Sequence, residues 1–488
     1  MKKLILTFAV IALLHSSCTT DFENINTNLN QPEQTNPDLL PERVTPNLLL
    51  SNILSTVADR TAMTGWINGN IVSQLTAKLL FSDFDRYNWG SEKVIWSSYY
   101  GILPEIELVL KSVQTEANKN TSYEGICLAV RAYIYANLTD NWGDVPVFEA
   151  IKGVEGNFKP AYDKQEDIYK QILDDLSTAD NLLALGKPIT GGDIWYNGDV
   201  VKWRKLANSL KLRYLLRISN KQDVSSAMQA VVNNGFIFES NDDNAVMEYP
   251  ASTRIDSWFV STQRIGSFDE HRMSQNCERI LVQFNDQRMQ AWFQPTDNQQ
   301  DDPNLFVGLP NGLSEDSAGK FNGGTDNISR LNEDFFYRSP NLVKAAVMQF
   351  AELQFILAEA VQKGLILGNA ETYYNNGVKA SFEYWNVTQN TDQYLSQPGV
   401  QYDGNLETII TQKWLASFLV GLEGWYDFRR TGLPLFIKPG PGHSNNQNQV
   451  PVRFLYPSDE QTLNAENYKA AVSAMGSDNI NIKGWWES

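Results

Sequence analysis

Apolar residues recur at the three- and four-residue spacing of amphipathic helices along most of this 488-residue chain. The first such stretch runs from residue 44 to residue 60 and places on one face Leu48, Leu49, Ile53, Leu54 and Val57. After a break at Gly65, the same spacing continues to Leu80. The pattern predicts two antiparallel helices here, since a stripe of this period marks the buried face of a helix.

The same spacing predicts further helices, and it weakens in two places. Between residues 236 and 338, Gly, Asn, Asp and Ser become frequent, which indicates a loop-rich excursion with one helix. From residue 431 to the end, Pro and Gly favour only short strands or turns. The predicted helices cover residues 92–117, 122–139, 165–185, 200–219, 225–234, 274–284, 342–363, 370–385 and 406–420.

Paired helices of this length resemble tetratricopeptide units, in which one pair cannot bury its apolar face alone and stacks on the next. The clearest pair covers residues 349–360 and 370–381, where small residues allow close helix contact. No strict period of about 34 residues, that of the tetratricopeptide repeat, is visible. We therefore expect an all-α fold of degenerate helical pairs, with residues 41–488 forming a single domain.

The first residues have the pattern of a lipoprotein signal. Lys2 and Lys3 precede an apolar run, Leu4 to Leu14, that is too short to span a bilayer, and small residues lead to Cys18. We expect residues 1–17 to be a signal peptide, Cys18 to be lipidated, and the Asn-rich residues 18–40 to form a tether. An ordinary secretory signal with a free cysteine is the alternative, and both place the protein outside the cytoplasm.

Composition narrows the class of partner and of chemistry. The formal net charge of −17 argues against nucleic acid as a partner, since nucleic acid is bound through clustered Lys and Arg. The chain has 3 histidines and 3 cysteines, which leaves little material for a zinc site or a Ser-His pair. We expect no enzyme activity, no cofactor and no metal. Cys127 and Cys277 lie in surroundings typical of buried thiols. A disulfide between them is the alternative.

Aromatic residues make up 11% of the chain, and several lie in segments rich in Gly, Asn and Asp. A ring in a loop can stack on the apolar C–H face of a sugar while nearby polar groups bond its hydroxyls. A neutral ligand of this kind fits the acidic composition.

Several motifs, taken together and in order, resemble those of the SusD/RagB family of outer-membrane nutrient-binding lipoproteins, especially its second SusD-like branch. They are Cys18 followed by DFENINTN (21–28), LTDNWGDVP (138–146), KWRKLANSL (202–210), GWYDFRRTG (424–432), RFLYP (453–457) and ENY (466–468). The resemblance implies four tetratricopeptide-like helix pairs and no catalysis. It also implies a lipid-anchored protein at the cell surface that covers a SusC-like TonB-dependent transporter of the outer membrane and captures oligosaccharides or, in some members, peptides.

Three groups of aromatic residues in these regions are better explained by packing than by ligand binding. Trp142 precedes a turn at Gly143 and an extended segment, so we expect it in the core. The GWYDFRRTG segment combines rings, Arg and Asp, which favours a buried lock of Arg–carboxylate pairs. The third group lies on one helix face at Trp96, Tyr99 and Tyr100.

The predicted ligand-binding residues lie in loops. The first choice is the connection between two helices that contains Tyr87, Asn88 and Trp89, because the corresponding loop of SusD-like proteins supplies stacking rings. The loop-rich excursion adds Trp258, Arg264, Trp292 and Phe306. The alternative for each ring is that it packs the excursion onto the helices. A calcium site at Asp297, Asp301 and Asp302 lacks the usual spacing of such loops.

The sequence therefore predicts a surface lipoprotein that binds an oligosaccharide and delivers it to a SusC-like transporter. The same scaffold binding peptides or another small nutrient is the alternative. A glycosidase needs two facing carboxylates, and nothing in the sequence singles out such a pair. A scaffold for other surface lipoproteins, without a small-molecule ligand, is a third possibility.

Overall fold

A computed structural model of the protein describes residues 44–249, 268–298, 302–336 and 343–487. Helices dominate these ranges, and the prediction of an all-α fold is confirmed. None of the described helices is long and apolar enough to cross a membrane. The helices are α1 (Pro46–Thr64), α2 (Val94–Ser112), α3 (Thr121–Trp142), α4 (Gln165–Leu183), α5 (Val200–Ile218), α6 (Ser225–Asn234), α7 (Gln275–Gln283), α8 (Arg288–Trp292), α9 (Glu315–Lys320), α10 (Glu333–Phe336), α11 (Phe350–Gln362), α12 (Ala370–Tyr384), α13 (Thr391–Leu395), α14 (Leu406–Ala416), α15 (Glu423–Thr431), α16 (Ser458–Leu463) and α17 (Ala465–Met475).

Consecutive long helices pack on one another and generate two main apolar cores. Helices α1 to α5 stack in chain order around the first core, and α11 packs on α12 and α14 around the second. Helix α5 contacts α11 and so links the two halves of the stack. Helix ends follow ordinary capping chemistry: Asp199 accepts hydrogen bonds from two backbone N–H groups at the start of α5, and Gly235 ends α6 with a positive φ of 78°.

Within the described ranges, four short strands form two antiparallel pairs that brace α1 and the segment after it. Strand β1 (Thr76–Lys78) pairs with β3 (His271–Met273), with Thr76 opposite Met273. Strand β2 (Ala245–Met247) pairs with β4 (Ala345–Met348), which packs against α1.

Four secondary-structure predictions were wrong. Gly65 does not break the first helix: α1 continues through a π-helical turn (Gly65–Gly69) and a short segment (Asn70–Val72), and β1 stands where a second helix was expected. The predicted helix over 342–363 begins only at Phe350, because the apolar residues before it, Ala345–Met348, form the buried strand β4. Periodicity cannot separate a short buried strand from a helix.

The third error concerns the C-terminal tail, which was expected to hold only strands or turns. It contains α16 and α17, since the Pro- and Gly-rich surroundings obscured their short helical patterns. The fourth error concerns the excursion, which was expected to hold one helix and contains α8, α9 and α10 in addition to the predicted α7. Cys127 and Cys277 are both buried and free, so no disulfide joins them.

The motif residues expected in the core lie there. The indole of Trp142 is buried and donates a 2.8 Å hydrogen bond to the Leu455 carbonyl oxygen. Trp425 donates in the same way to the Pro451 oxygen, at 2.7 Å. Trp96 and Tyr99 are also buried. The C-terminal segments therefore close the first core through buried tryptophan donors, as aromatic rings with a polar atom do when they pack inside a protein.

Candidate functional site

The loop that was the first choice for ligand binding connects β1 to α2. Within it Asn88 is exposed and Trp89 is half-buried. The Trp89 ring stacks on Phe84 with centroids 4.5 Å apart and planes at 6°, and its Nε1–H donates a 2.8 Å hydrogen bond to the Phe84 oxygen. Trp89 also packs against Phe454 and Trp425. The ring holds the loop on the first core and leaves only part of its surface for a ligand.

The structure corrects the prediction that the Tyr87 ring is available to a ligand, because its side chain is buried. Its ring stacks on the imidazole of His443 with centroids 3.7 Å apart, and Gln74 Nε2 donates to its hydroxyl at 3.5 Å. Burial raises the pKa of Tyr87. With the ring covered by His443, Tyr87 has no free face on which a sugar could stack.

The structure also corrects the prediction of ligand-binding rings at Trp292 and Phe306, since both are buried in the second core. Trp292 lies parallel to Phe418, with ring centroids 4.4 Å apart, and edge-on to Trp385. The packing alternative therefore holds for these two residues. Trp258 and Arg264 lie outside the described residues, so their role stays a prediction.

A buried polar cluster fixes the base of the same loop. Asp85 accepts from the Lys78 backbone N–H at 2.9 Å and from Asn311 Nδ2 at 2.8 Å. Burial raises the pKa of Asp85 to about 6, against the effect of these hydrogen bonds. His443 Nε2 lies 2.5 Å from the Asp85 backbone oxygen, and burial lowers the pKa of His443 to about 4. The cluster ties together the loop, the excursion and the C-terminal region.

A pocket that the sequence did not predict lies beside this loop, at the C-terminal end of α1. The π-helical turn there is held in place by two glycines. A Cβ atom on Gly69 would lie 1.8 Å from the Gly421 oxygen, and one on Gly65 would lie 2.9 Å from the Leu419 carbonyl carbon. Only glycine permits this close approach. The turn is therefore wedged against the link between α14 and α15, and it widens the helix where the pocket forms, as π-helical turns often do at functional sites.

The last turn of α1, the π-helical turn that follows it, and the start of α2 with the preceding Glu92 line the pocket, which has a volume of about 90 Å³. The lining residues from α1 and the turn after it recur at helical spacing. The residues that line the pocket are Arg60, Met63, Thr64, Ile67, Asn68, Glu92, Val94 and Ile95. Ile67 is 41% exposed and Val94 57% exposed. These two apolar side chains therefore offer surface to a ligand beside a lining that is itself mostly apolar.

Two polar atoms of the pocket residues are buried without a hydrogen-bond partner among the described residues. They are Nε of Arg60 and Oγ1 of Thr64. Thr64 as a whole residue is only 4% exposed. Buried polar groups are nearly always hydrogen-bonded in native proteins. The unsatisfied donor and hydroxyl in these two residues are therefore exceptions to ordinary packing.

Two carboxylates belong to the pocket lining or to a residue next to it in the chain: Glu92 lines the pocket, and Asp59 precedes the lining residue Arg60. The Glu92 carboxylate accepts from the backbone N–H groups of Val94 (2.7 Å) and Ile95 (3.1 Å), so it caps α2. Asp59 is hydrogen-bonded by the Tyr249 hydroxyl, and its pKa is raised because burial outweighs that bond and the nearby Arg60. Both carboxylates are engaged in local structure. The pocket residues therefore offer binding contacts without an arranged acid–base pair.

No group of three or more metal-ligating side chains occurs in the described ranges. Asp297, considered for calcium, forms a salt bridge with Arg330, and Asp301 lies outside those ranges. The sequence places Arg60, Thr64 and Asn68 at a spacing of four residues, on one face of the helix. That spacing is equally typical of a solvated helix face, so it did not single out the pocket.

The described architecture is that of a helical binding protein built from stacked pairs with a small surface pocket, and comparison with known proteins agrees. A family model described as SusD-like, "Starch-binding associating with outer membrane", matches residues 38–457. The chain belongs to this SusD-like family of outer-membrane nutrient- or glycan-binding proteins. Among curated proteins, none matches the chain in sequence.

Solved structures of similar proteins share the whole fold. Two SusD homologues from Bacteroides fragilis NCTC 9343 align with TM-scores of 0.81 and 0.78 at 25% and 27% identity. Each alignment covers 91% of this chain and 100% of the homologue. A chitin-binding protein aligns with a TM-score of 0.79 and 26% identity, over 91% of this chain and 100% of its own. The expected tetratricopeptide-like SusD fold is thereby confirmed.

Proposed function

We propose that this protein binds a nutrient oligosaccharide at the cell surface and delivers it to a SusC-like TonB-dependent transporter in the outer membrane. Membership of a family described as starch-binding supports a glycan ligand, as does the similar chitin-binding protein. The observation that carries the proposal is the α1–α2 pocket, in which the exposed residues Ile67 and Val94 line the same pocket as Arg60, Thr64 and Asn68.

The chemistry of a sugar matches this pocket and its rim. A pyranose ring has an apolar C–H face, which packs against apolar side chains, and polar groups around its edge. Ile67 and Val94 provide the apolar contact, and Asn68 with Arg60 provides hydrogen bonds. Asn88 and the exposed edge of Trp89, three to four residues before Glu92, extend the proposed binding surface along the loop.

Lipidation at Cys18 completes the proposed placement at the membrane. The first described residue, Val44, accepts a hydrogen bond from Asn118 and lies at the N-terminal end of α1, whereas the pocket lies at the other end. A helix of 19 residues is about 28 Å long, since each residue adds about 1.5 Å. A chain anchored before α1 would therefore present the pocket away from its point of attachment.

Calorimetric titration of the chain from residue 19 onward, which keeps every described residue, tests the ligand class. The panel contains maltohexaose, cellohexaose, a hexamer of N-acetylglucosamine and an alanine-glycine hexapeptide. We expect saturable binding of at least one oligosaccharide with a dissociation constant between about 1 µM and 1 mM, equivalent to about −8 to −4 kcal/mol, and no product formation.

A matched pair of variants assigns the binding to the pocket. Ile67→Ala removes apolar surface at the pocket, and Ile194→Ala removes an equally exposed side chain, also 41% exposed, in the loop that contacts the opposite end of α1. We expect only Ile67→Ala to weaken binding. Binding of the hexapeptide alone would favour peptide capture, and binding of nothing in the panel would contradict the proposal.

A further inference from the structure

We propose that the α3–α4 loop, residues 143–164, forms a second contact for a long glycan, so that an oligosaccharide bound at the α1–α2 pocket also stacks on Phe158. The inference rests on the proposed function and adds a second binding surface to it. Three observations carry it: the exposure of apolar side chains in the loop, the hydrogen bonds that fix the loop, and its position at the pocket end of the helical stack.

The α3–α4 loop exposes large apolar side chains to solvent. Val154 is 95% exposed and Phe158 78% exposed, and Phe148 is exposed as well. A Cβ atom on Gly153 would lie 3.7 Å from Cε1 of Phe158, so one edge of the ring lies beside this glycine and most of its surface faces solvent. Several exposed apolar side chains in one segment indicate a binding surface, whereas scattered single ones do not.

Hydrogen bonds within the loop hold its backbone in place. At the base of the loop, Asp163 Oδ2 accepts from the backbone N–H groups of Val147 and Phe148, at 2.8 and 2.9 Å. Across the middle of the loop, Asn157 Nδ2 donates to Glu149 Oε2 at 3.2 Å. The exposed side chains therefore project from an ordered segment. A surface that is ordered before binding loses less conformational freedom when a ligand arrives.

The loop lies at the same end of the helical stack as the pocket. It begins after Trp142, the last residue of α3, whose ring centroid lies 5.1 Å from that of Trp96 in the first turn of α2. The same turn of α2 contributes Val94 and Ile95 to the pocket lining. One extended ligand can therefore contact the pocket and the loop together.

Helix α16 lies between the two surfaces. At its start, Asp459 forms a 2.5 Å ion pair with Lys93, which precedes the pocket residue Val94. Just past its end, Asn464 Nδ2 donates to the Pro160 oxygen in the loop, at 2.8 Å. Helix α16 has 6 residues and is about 9 Å long. The separation is therefore of the order of one short helix, which several linked sugars can cross and a single sugar cannot.

The size of the surface and the charge of the protein favour a sugar over a protein or a lipid. A stable protein interface buries about 800 Å² per partner, more than two phenylalanines and a valine offer, since one aromatic side chain buries about 150–250 Å². An anionic lipid surface would meet a protein with a formal net charge of −17. A phenyl ring matches the C–H face of one sugar. The exposed Lys152 and Lys159 can donate to its hydroxyls.

Calorimetric titration with oligosaccharides of two lengths tests the inference on the chain from residue 19 onward. The probes are maltohexaose, cellohexaose and the hexamer of N-acetylglucosamine, each with its trimer. A trimer occupies the pocket alone, whereas a hexamer also reaches Phe158. For each hexamer that binds, Phe158→Ala should reduce the affinity about threefold to tenfold, the usual effect of one aromatic contact. The affinity for the corresponding trimer should stay the same.

Two further variants separate the ring from general effects of a surface substitution. Phe158→Tyr keeps an aromatic ring and should retain the affinity for the hexamer. Leu185→Ala is the matched control, because Leu185 is 66% exposed and lies at the other end of the stack, in a loop whose Lys187 oxygen accepts from Ser122 at the start of α3. It should leave both affinities unchanged. Circular dichroism checks that each variant is folded.

The outcomes distinguish this inference from the function on which it rests. A loss of hexamer affinity that occurs in Phe158→Ala, and not in Phe158→Tyr or Leu185→Ala, supports the second contact when the trimer affinity is unchanged. Hexamer affinity that Phe158→Ala leaves intact, or an equal loss for hexamer and trimer, overturns the second contact and leaves oligosaccharide capture standing. Binding of no oligosaccharide overturns both.

Discussion

Arg217 Nη1 lies 2.7 Å from Asp140 Oδ2, and both side chains are almost completely buried. The same guanidinium binds Glu423 Oε2 at 2.5 Å and lies over the ring of Tyr426. These contacts join α3, α5 and α15 at the centre of the fold. Each buried charge is compensated by a partner, so the removal of one partner exposes the cost of burying the other.

We expect Arg217→Met to lower the free energy of unfolding by about 3–5 kcal/mol, because it leaves Asp140 and Glu423 buried without this cation. Urea denaturation measures the loss. Lys170→Met is the control, since Lys170 pairs with Asp167 on the surface and exposed pairs contribute less than about 1 kcal/mol. A loss in Arg217→Met no larger than that of the control would contradict the central role of this ion pair.

Trp292→Ala should act on stability and not on binding. The ring is fully buried between Phe418 and Trp385, and truncation of a buried aromatic side chain costs about 3–5 kcal/mol. Urea denaturation should show this loss. At a temperature where the variant is folded, its affinity for an oligosaccharide should equal that of the unchanged protein. A selective loss of affinity would instead show that Trp292 takes part in binding.

Asn88 and Trp89, although adjacent, should respond differently to truncation. Trp89→Ala removes the stack on Phe84 and the packing against Phe454, and should destabilise the fold by about 2–4 kcal/mol. Asn88→Ala removes an exposed side chain whose Nδ2 donates a 3.2 Å hydrogen bond to Asp83, and should change stability by less than about 0.5 kcal/mol. Thermal unfolding compares the two. Equal destabilisation would show that the loop is held differently.

The pH dependence of stability should carry a signature of His443. Burial lowers its pKa to about 4 from 6.5, so the folded state holds a neutral ring that the unfolded chain protonates first. Its contribution to stability is therefore complete above pH 6.5 and is lost progressively as the pH falls toward 4. Asp85 acts in the opposite direction, because its raised pKa lets the folded state take up a proton near pH 6.

Comparison with His443→Phe isolates the histidine, since Asp85 is present in both proteins and phenylalanine keeps a ring against Tyr87. The stability of the unchanged protein relative to the variant should fall by on the order of 2 kcal/mol between about pH 7.5 and about pH 4.5. Urea denaturation at both pH values measures the change. A constant difference would show that His443 is protonated equally in the folded and unfolded states.

The long helices were predictable because their apolar stripes are complete within each segment. Helix α6, for example, has its predicted bounds, and Gly235 ends it as expected. The helical conformation at Gly65 was not predictable, because the segment that packs against this turn, Leu419 to Gly421, is more than 350 positions away in the chain. Close approach between distant segments leaves no local pattern, and a glycine that permits it looks like a helix breaker.

The candidate site shows the same limit from another direction. Tyr87 and Trp292 occur in segments rich in turn residues, and aromatic rings in such segments suggest an exposed surface. The structure buries both, because His443 covers Tyr87 and Phe418 covers Trp292. Conversely, Thr64 lies within an ordinary helical stripe, and only the three-dimensional arrangement reveals that its hydroxyl is unpaired.

A crystal structure of the chain from residue 19 onward, soaked with the hexamer of N-acetylglucosamine, tests the central claim most directly. Glycan capture at the α1–α2 pocket predicts a sugar ring over Ile67 and Val94, in contact with the residues that line the pocket. A hexamer bound elsewhere on the protein, with the pocket unchanged, would contradict that claim.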